Sequence, residues 1–228
     1  SSYPLRWYLT PTGRLSAQHT NPAGFKEYLS DPAHPVPYSA ASLSAEADFS
    51  ALFSYMSADQ RFASERADVL TFQTDLLAEN LTVGGEITVR LKVSTTGTDA
   101  DWVVKLIDVY PPNEPNHPYL PNPQTQLGRY QQLVRADVMR GRFRHSFQKP
   151  APFRPNQVTA VTLQLPDVLH TFKKGHRVMI QVQSSWFPLI DRNPQTFVNN
   201  IYKAVKADFK PARHRVYGSS VVEVTALP

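Results

Sequence analysis

Hydrophobic and polar residues alternate along much of this chain. In EITVRLKV (86–93), Ile87, Val89, Leu91 and Val93 share one face, while Thr88, Arg90 and Lys92 take the other. That period of two is the pattern of a half-buried strand. DWVVKLIDVY (101–110) is apolar on both faces apart from Lys105 and Asp108, as expected of a central strand covered on both sides. VTAVTLQL (158–165) and RVMIQVQS (177–184) alternate again, the second with Val178, Ile180 and Val182 towards a core and Met179, Gln181 and Gln183 away from it. Further strands are predicted at LRWYL (5–9), VLTFQT (69–74), YQQLVRADVM (130–139), RHRVYG (213–218) and SVVEVTAL (220–227). Turn signals separate them at Pro11–Gly13, Gly84–Gly85, Pro111–Pro112, Gly141, Pro166–Asp167 and Gly175.

Two regions break the alternation. Residues 19–63 are rich in Pro and Gly at first, and then read ASLSAEADFSALFSYM, which suits a helical turn or two. Residues 111–128 carry six prolines and predict an irregular loop. One short helix is predicted near 197–206, where Phe197, Ile201 and Val205 recur every fourth position. Many short strands, long Pro-rich loops and one short helix predict an all-β fold, a two-sheet jelly-roll β-sandwich. The chain reads as a single domain over 1–228, with N-terminal strands and a loop in 1–63 and the main sandwich in 64–228.

Composition supports this. The 228 residues are 41% hydrophobic, enough for a packed core. Twenty prolines, against about 11 at average usage, agree with many short elements and structured loops. There is no cysteine, which excludes disulfides, thiolate metal ligands and cysteine nucleophiles. No apolar run approaches the roughly 18 residues that span a membrane as a helix, so no membrane partner is expected. The N-terminus, SSYPLRWYLT, has neither a basic start nor an apolar signal core and reads like an internal boundary of a longer chain.

Net charge is +5, with positives clustered at RGRFRH (140–145), KKGHR (173–177) and RHR (213–215). No nucleic-acid-binding motif accompanies them. Turn and edge-strand charges that keep sheets from pairing account for them, and no nucleic-acid partner is expected.

Candidate chemistry centres on QSSWFPLIDRNPQ (183–195). A Ser/His/Asp set can be assembled from Ser184 or Ser185, His170 or His176, and Asp167 or Asp191. A serine nucleophile needs a strained turn and nearby N–H donors for the oxyanion, whereas these serines end a regular strand. The run therefore reads as a structural corner, with Trp186 and Phe187 as candidates for docking another domain or, as surface aromatics, for binding a sugar. Glycine spacings for a nucleophile elbow, a dinucleotide loop or a phosphate loop are absent, as is a zinc-protease helix motif. Asp99 and Asp101 flank Ala100 as in a calcium loop, but Trp102 stands where that loop would continue, so a turn entering a strand is expected. No catalytic residue, metal ligand or cofactor is assigned.

Four blocks carry a resemblance: DQRFASERADVLTFQTDLL (59–77), DADWVVKLIDVYPP (99–112), YQQLVRADVMRGRFRHSF (130–147) and LPDVLHTFKKGHRVMIQVQSSWFPLIDRNPQTFVNNIYKA (165–204). Together they resemble the C-terminal domain of the serine hydrolase family that includes X-prolyl dipeptidyl aminopeptidases, cocaine esterase, α-amino acid ester hydrolases and glutaryl-7-aminocephalosporanic acid acylase-like proteins. The resemblance implies a non-catalytic jelly roll whose partners are the α/β-hydrolase and cap domains of the same parent. The family's nucleophile elbow and triad belong to the hydrolase domain, so no catalytic role maps onto these residues.

The resemblance further implies acyl-enzyme chemistry on esters or amides in the parent, to which the jelly roll contributes by packing and by shaping the mouth of the active site. The loop before DQRF, about 43–56, can approach that mouth; Leu52, Phe53, Tyr55 and Met56 are its apolar candidates for a substrate-pocket rim. Interdomain packing alone is the competing explanation of the same four residues. For the parent, the resemblance leans towards a periplasmic or secreted location and leaves the cytoplasm and the oligomeric state open. The alternative function is a free-standing carbohydrate- or ligand-binding jelly roll.

Overall fold

A computed structural model of the protein describes residues 1–39, 59–116 and 127–228. Eleven strands are defined among them: β1 (Tyr3–Leu9), β2 (Leu15–Ser16), β3 (Phe25–Ser30), β4 (Leu70–Gln73), β5 (Leu81–Thr95), β6 (Asp101–Val109), β7 (Gln131–Arg140), β8 (Thr159–Phe172), β9 (Arg177–Gln183), β10 (Ala212–Tyr217) and β11 (Val221–Leu227). One four-residue helix, α1 (Arg61–Ser64), accompanies them. All the strand pairings are antiparallel and form two sheets, a β-sandwich.

The larger sheet is organised around β5, which pairs with β8 along one edge from Leu81 to Val93. Along its other edge, β11 pairs with residues 82–90 and β10 with 93–95. β10 and β11 thus form one broken strand. Ser220 fills the break, its Oγ accepting from Lys92 N–H (2.9 Å) and donating to Lys92 C=O (3.3 Å). β1 and β2 extend the sheet from β11, and β3 extends it from β10. The smaller sheet has the order β4-β9-β6-β7.

The predicted faces are the observed ones. Ile87, Val89, Leu91 and Val93 of β5 meet Trp102, Val104 and Leu106 of β6 and Val178, Ile180 and Val182 of β9 in the core between the sheets. Trp102 is fully buried. Gly141 follows β7 where its Cα lies against Phe153 and the Ala100 carbonyl. A Cβ there would sit 2.3 and 2.4 Å from them, so no other residue fits without displacement.

Four local expectations change. Gly84–Gly85 does not separate two strands, because β5 runs through it. Pro166–Asp167 does not end a strand, because β8 runs through it. A bulge opposite Glu86, with Gly85 at φ 76°, absorbs the extra residue and places the proline where no ladder N–H is required. The strand β3 was hidden in a Pro/Gly-rich stretch. The single helix expected near 197–206 is instead two 3₁₀ turns, Ile201–Lys203 and Lys206–Asp208. Its four-residue spacing has no core to bury: Val205 is exposed and Ile201 only half-buried, so nothing offsets the cost of forming a helix there.

Candidate functional site

The outer face of the smaller sheet is where the two-sided burial of β6 acquires a meaning. Cross-strand register sets Val103 opposite Gln183, Lys105 opposite Gln181 and Ile107 opposite Met179 between β6 and β9. It sets Lys105 opposite Ala136 and Ile107 opposite Leu133 between β6 and β7. All these positions point away from the main core, yet they are largely buried, because a second apolar layer lies over them. Tyr38 and Trp186 belong to that layer and pack on Val103, Ile107, Leu133 and Met179.

The QSSWFPLIDRNPQ stretch builds this layer. After β9 ends, Ser185 Oγ accepts the Val36 N–H at 2.8 Å, Phe187 N–H donates to the Val36 carbonyl at 3.0 Å, and Tyr38 N–H donates to the Phe187 carbonyl at 2.8 Å. Two irregular segments are thereby joined by backbone bonds across the sheet. Trp186 is left 6% exposed against Tyr38 (ring centroids 5.1 Å apart), while Phe187 is 42% exposed. Further on, Asn193 Nδ2 donates to Asp101 Oδ1 at 3.0 Å and Gln195 Nε2 to the carbonyls of Ser30 and Lys210. Arg192 donates to the Pro32 carbonyl and lies over Phe209. Ser184, Ser185, Arg192, Asn193 and Gln195 thus find structural partners of the kind expected where a ladder stops, while the buried Trp186 Nε1 and Gln183 Oε1 have none among the described residues.

Lys105 is the unusual member of this face. It is fully buried, its Nζ donates to Gln60 Oε1 at 2.9 Å, and it lies 5.1 Å from the Trp186 ring and 5.9 Å from the Phe62 ring. Burial pushes its ammonium pKa down to about 7. The two rings and the amide are arranged to favour the charged form, so the side chain clamps α1 and Trp186 onto the sheet. The one hint of this was legible in β6 itself, whose central lysine interrupts an otherwise apolar run, WVVKLI.

The residues considered for a triad are dispersed. Ser184 Oγ is 2.7 Å from His214 Nδ1 and 2.6 Å from the Tyr28 hydroxyl. This serine–histidine contact pins β3, β9 and β10 together and is closed to solvent. His214 is fully buried, burial drives its imidazole pKa down to about 3, and no carboxylate among the described residues orients its ring. His176 and His170 instead share Asp108, at 2.7 Å (Nδ1 to Oδ1) and 2.9 Å (Nε2 to Oδ2), with no serine in the set. Asp167 and Asp191 offer only their backbone carbonyls, to Arg135 and Arg140.

Asp99 and Asp101 do not form a loop around an ion. Both are buried, and burial raises both carboxyl pKa values, that of Asp101 to about 7. Arg142 stands 3.8 Å from Asp99, and Arg140 stands 3.9 Å from Asp101. Among the described residues no group of three His, Asp or Glu side chains is placed to hold a metal. The basic clusters are used in similar ways. Arg142 and Arg144 donate to backbone carbonyls, and Arg213 and Arg215 pair with Glu27.

A groove of about 780 Å³ runs along β7 beside this layer, walled by Leu133, Ala136, Val138, Leu169, Trp186 and Leu189. Leu169 and Leu189 are exposed at its rim, as is the neighbouring Phe187. Asp59, where the chain re-enters the described part, bridges to Gln132 at one end of β7. The expected rim residues Leu52, Phe53, Tyr55 and Met56 lie outside the described residues.

The whole sandwich has relatives. A cocaine esterase from Rhodococcus sp. (strain MB1 Bresler) is 32% identical over 190 residues, 82% of this chain but 29% of the esterase. The crystal structure of an aminopeptidase from the marine sediment archaeon Thaumarchaeota archaeon superposes with a TM-score of 0.90 and 41% identity, covering all of this chain and 37% of that one. An α-amino acid ester hydrolase structure gives a TM-score of 0.86 and 44% identity over 97% of this chain and 36% of its own. The chain thus spans about a third of the hydrolases it resembles. Residues 2–220 match the family described as the X-Pro dipeptidyl-peptidase C-terminal non-catalytic domain. With that match over nearly all of its length, the chain belongs to that family.

Proposed function

We propose that this domain serves a larger serine hydrolase acting on acyl or peptidyl esters or amides, by packing against its catalytic part and helping to shape the mouth of the active site. The observation that carries the reading is the outer face of the smaller sheet. A buried second layer ends there in an apolar groove rimmed by exposed Leu169 and Leu189, with exposed Phe187 between Trp186 and Leu189 in sequence. Burying such side chains contributes roughly 1.5–3 kcal/mol each, so leaving several beside one groove favours a surface that another domain covers. Tyr38 belongs to the layer on this face and Asp59 bridges to Gln132 of β7, and these are described residues that flank in sequence the segment 43–56 with Leu52, Phe53, Tyr55 and Met56. That supports a role for it at the pocket rim. The cocaine esterase, the aminopeptidase and the α-amino acid ester hydrolase among its relatives support the substrate class.

The test compares the 228-residue chain with the parent protein. The chain alone is expected to leave p-nitrophenyl esters, amino-acid esters and X-Pro substrates intact and to resist fluorophosphonate, while the parent reacts with both. Phe187→Ala with Leu189→Ser should lower the parent's melting temperature and leave that of the isolated chain nearly unchanged. Stoichiometric serine labelling of the chain alone would overturn the reading, as would equal thermal effects in the two proteins.

A further inference from the structure

A second surface stands apart from this groove in its chemistry. The loop after β7 and the loop carrying the two 3₁₀ turns meet at one end of the sandwich, held by Arg142. That side chain donates to the carbonyls of Val198 (2.7 Å) and Asn199 (3.4 Å) and lies 4.7 Å from the Phe197 ring. Between the loops is a small groove of about 160 Å³, with Phe143 and Pro150 on one side and Ile201 and Tyr202 on the other. Phe147 stacks beside Phe143, with ring centroids 5.8 Å apart. Phe147 is 81% exposed, Tyr202 80% and Val205 61%. Aromatic rings held this far into water around a concave site are anchors looking for cover.

The exposed charge at this end is one-sided, since Asp99 and Asp101 are buried against Arg142 and Arg140. From Val138 to Pro166 the sequence has no Asp or Glu, and from Arg192 to Val222 it has only Asp208. Asp208 is committed locally, its Oδ2 accepting the Val205 N–H at 2.8 Å. Lys149, Lys203 and Lys206 are exposed and take part in no ion pair among the described residues. Lys149 precedes Pro150 of the groove and Lys203 follows Tyr202, so cations flank the aromatic anchors on both loops. A second copy of the same surface would be repelled, since it would present the same lysines.

We infer that this surface docks a carboxylate-bearing segment of the same polypeptide outside this domain, with an apolar side chain between Phe143 and Tyr202 and carboxylates against Lys149 and Lys203. The inference rests on the proposed function, in which the chain is about a third of a larger hydrolase and the other two-thirds are available as the occupant. An apolar anchor in a pocket with charge pairs at its rim is a common layout for a protein contact. The contact is distinct from the β7 groove, with which it shares no lining residue.

The experiment is lysine acylation footprinting read by mass spectrometry, on the intact parent and on the 228-residue chain, with exposed Lys92 as internal reference. Lys149 and Lys203 are expected to react about tenfold more slowly in the intact protein, and Lys149→Glu with Tyr202→Ala should restore the Lys203 rate to that of the isolated chain. Equal rates in the two proteins would overturn the inference, as would protection that survives the double substitution. If the parent also fails to react with fluorophosphonate, the proposed function has failed. If it reacts and the lysines are unprotected, only this inference has. Co-sedimentation of the isolated chain with phosphatidylcholine–phosphatidylglycerol vesicles at ~150 mM salt would overturn it in favour of a membrane.

Discussion

Replacing Lys105 by methionine tests how the outer layer is held. The ammonium is fully buried, with one amide acceptor at 2.9 Å and two rings at 5.1 and 5.9 Å. Its pKa falls from 10.5 to about 7 on folding, which corresponds to about 5 kcal/mol against the charged form once both states are protonated. Lys105→Met removes that cost and loses one hydrogen bond and two cation–ring contacts, about 1 kcal/mol each. At pH 6 the variant should therefore be more stable by about 1–3 kcal/mol.

The pH dependence is the sharper reading. The folded pKa lies below the unfolded one, so the unfolded state holds the extra proton between about 7 and 10.5, and wild-type stability gains from this group as pH rises through that window. The variant lacks the gain, and its advantage should shrink by about 2 kcal/mol from pH 6 to pH 9. Urea denaturation of both proteins at the two pH values measures this, with other titrating groups cancelling in the difference. An advantage that stays constant, or grows towards pH 9, would refute the account of a buried, desolvated ammonium.

The remaining predictions concern the QSSWFPLIDRNPQ corner and its surroundings. Ser184→Ala strands the Tyr28 hydroxyl and His214 Nδ1 in the core and should cost about 1–3 kcal/mol in denaturant unfolding. Trp186→Ala opens a cavity against Tyr38 and Lys105 and should cost about 3–5 kcal/mol, whereas Phe187→Ala, at a 42% exposed ring, should cost the isolated chain under about 1 kcal/mol. The folded Asp101 carboxyl titrates near 7, above its unfolded value of 3.8, so wild-type stability falls as pH rises between those values. Asp101→Asn removes that loss, and its advantage over wild type should grow by about 2 kcal/mol between pH 5 and pH 8 in paired unfolding curves.

Alternation by itself determined most of this fold. Every residue of β5 that reads as core-facing is buried, because a one-residue slip would expose the whole apolar set. The double-sided burial of β6 was legible for the same reason: an apolar residue at nearly every position leaves no face for water. Blocks such as DQRFASERADVL and RVMIQVQSSWFPLIDRNPQ also carried enough identity to point to the family.

Partners distant in the chain were settled only by the tertiary structure. Ser184 meets His214 instead of His170 or His176, Asp108 gathers those two histidines, and Lys105 finds Gln60 and Trp186. Local sequence sets strand phase through side-chain alternation. It does not set which strand ends lie together, because that depends on sheet order and on where the bulge at Gly85 lets β8 continue. The same cause explains the missed β3, whose pattern is weak alone but which gains its pairing from β10, and the absent helix at 197–206, which had the right period but no surface to pack against.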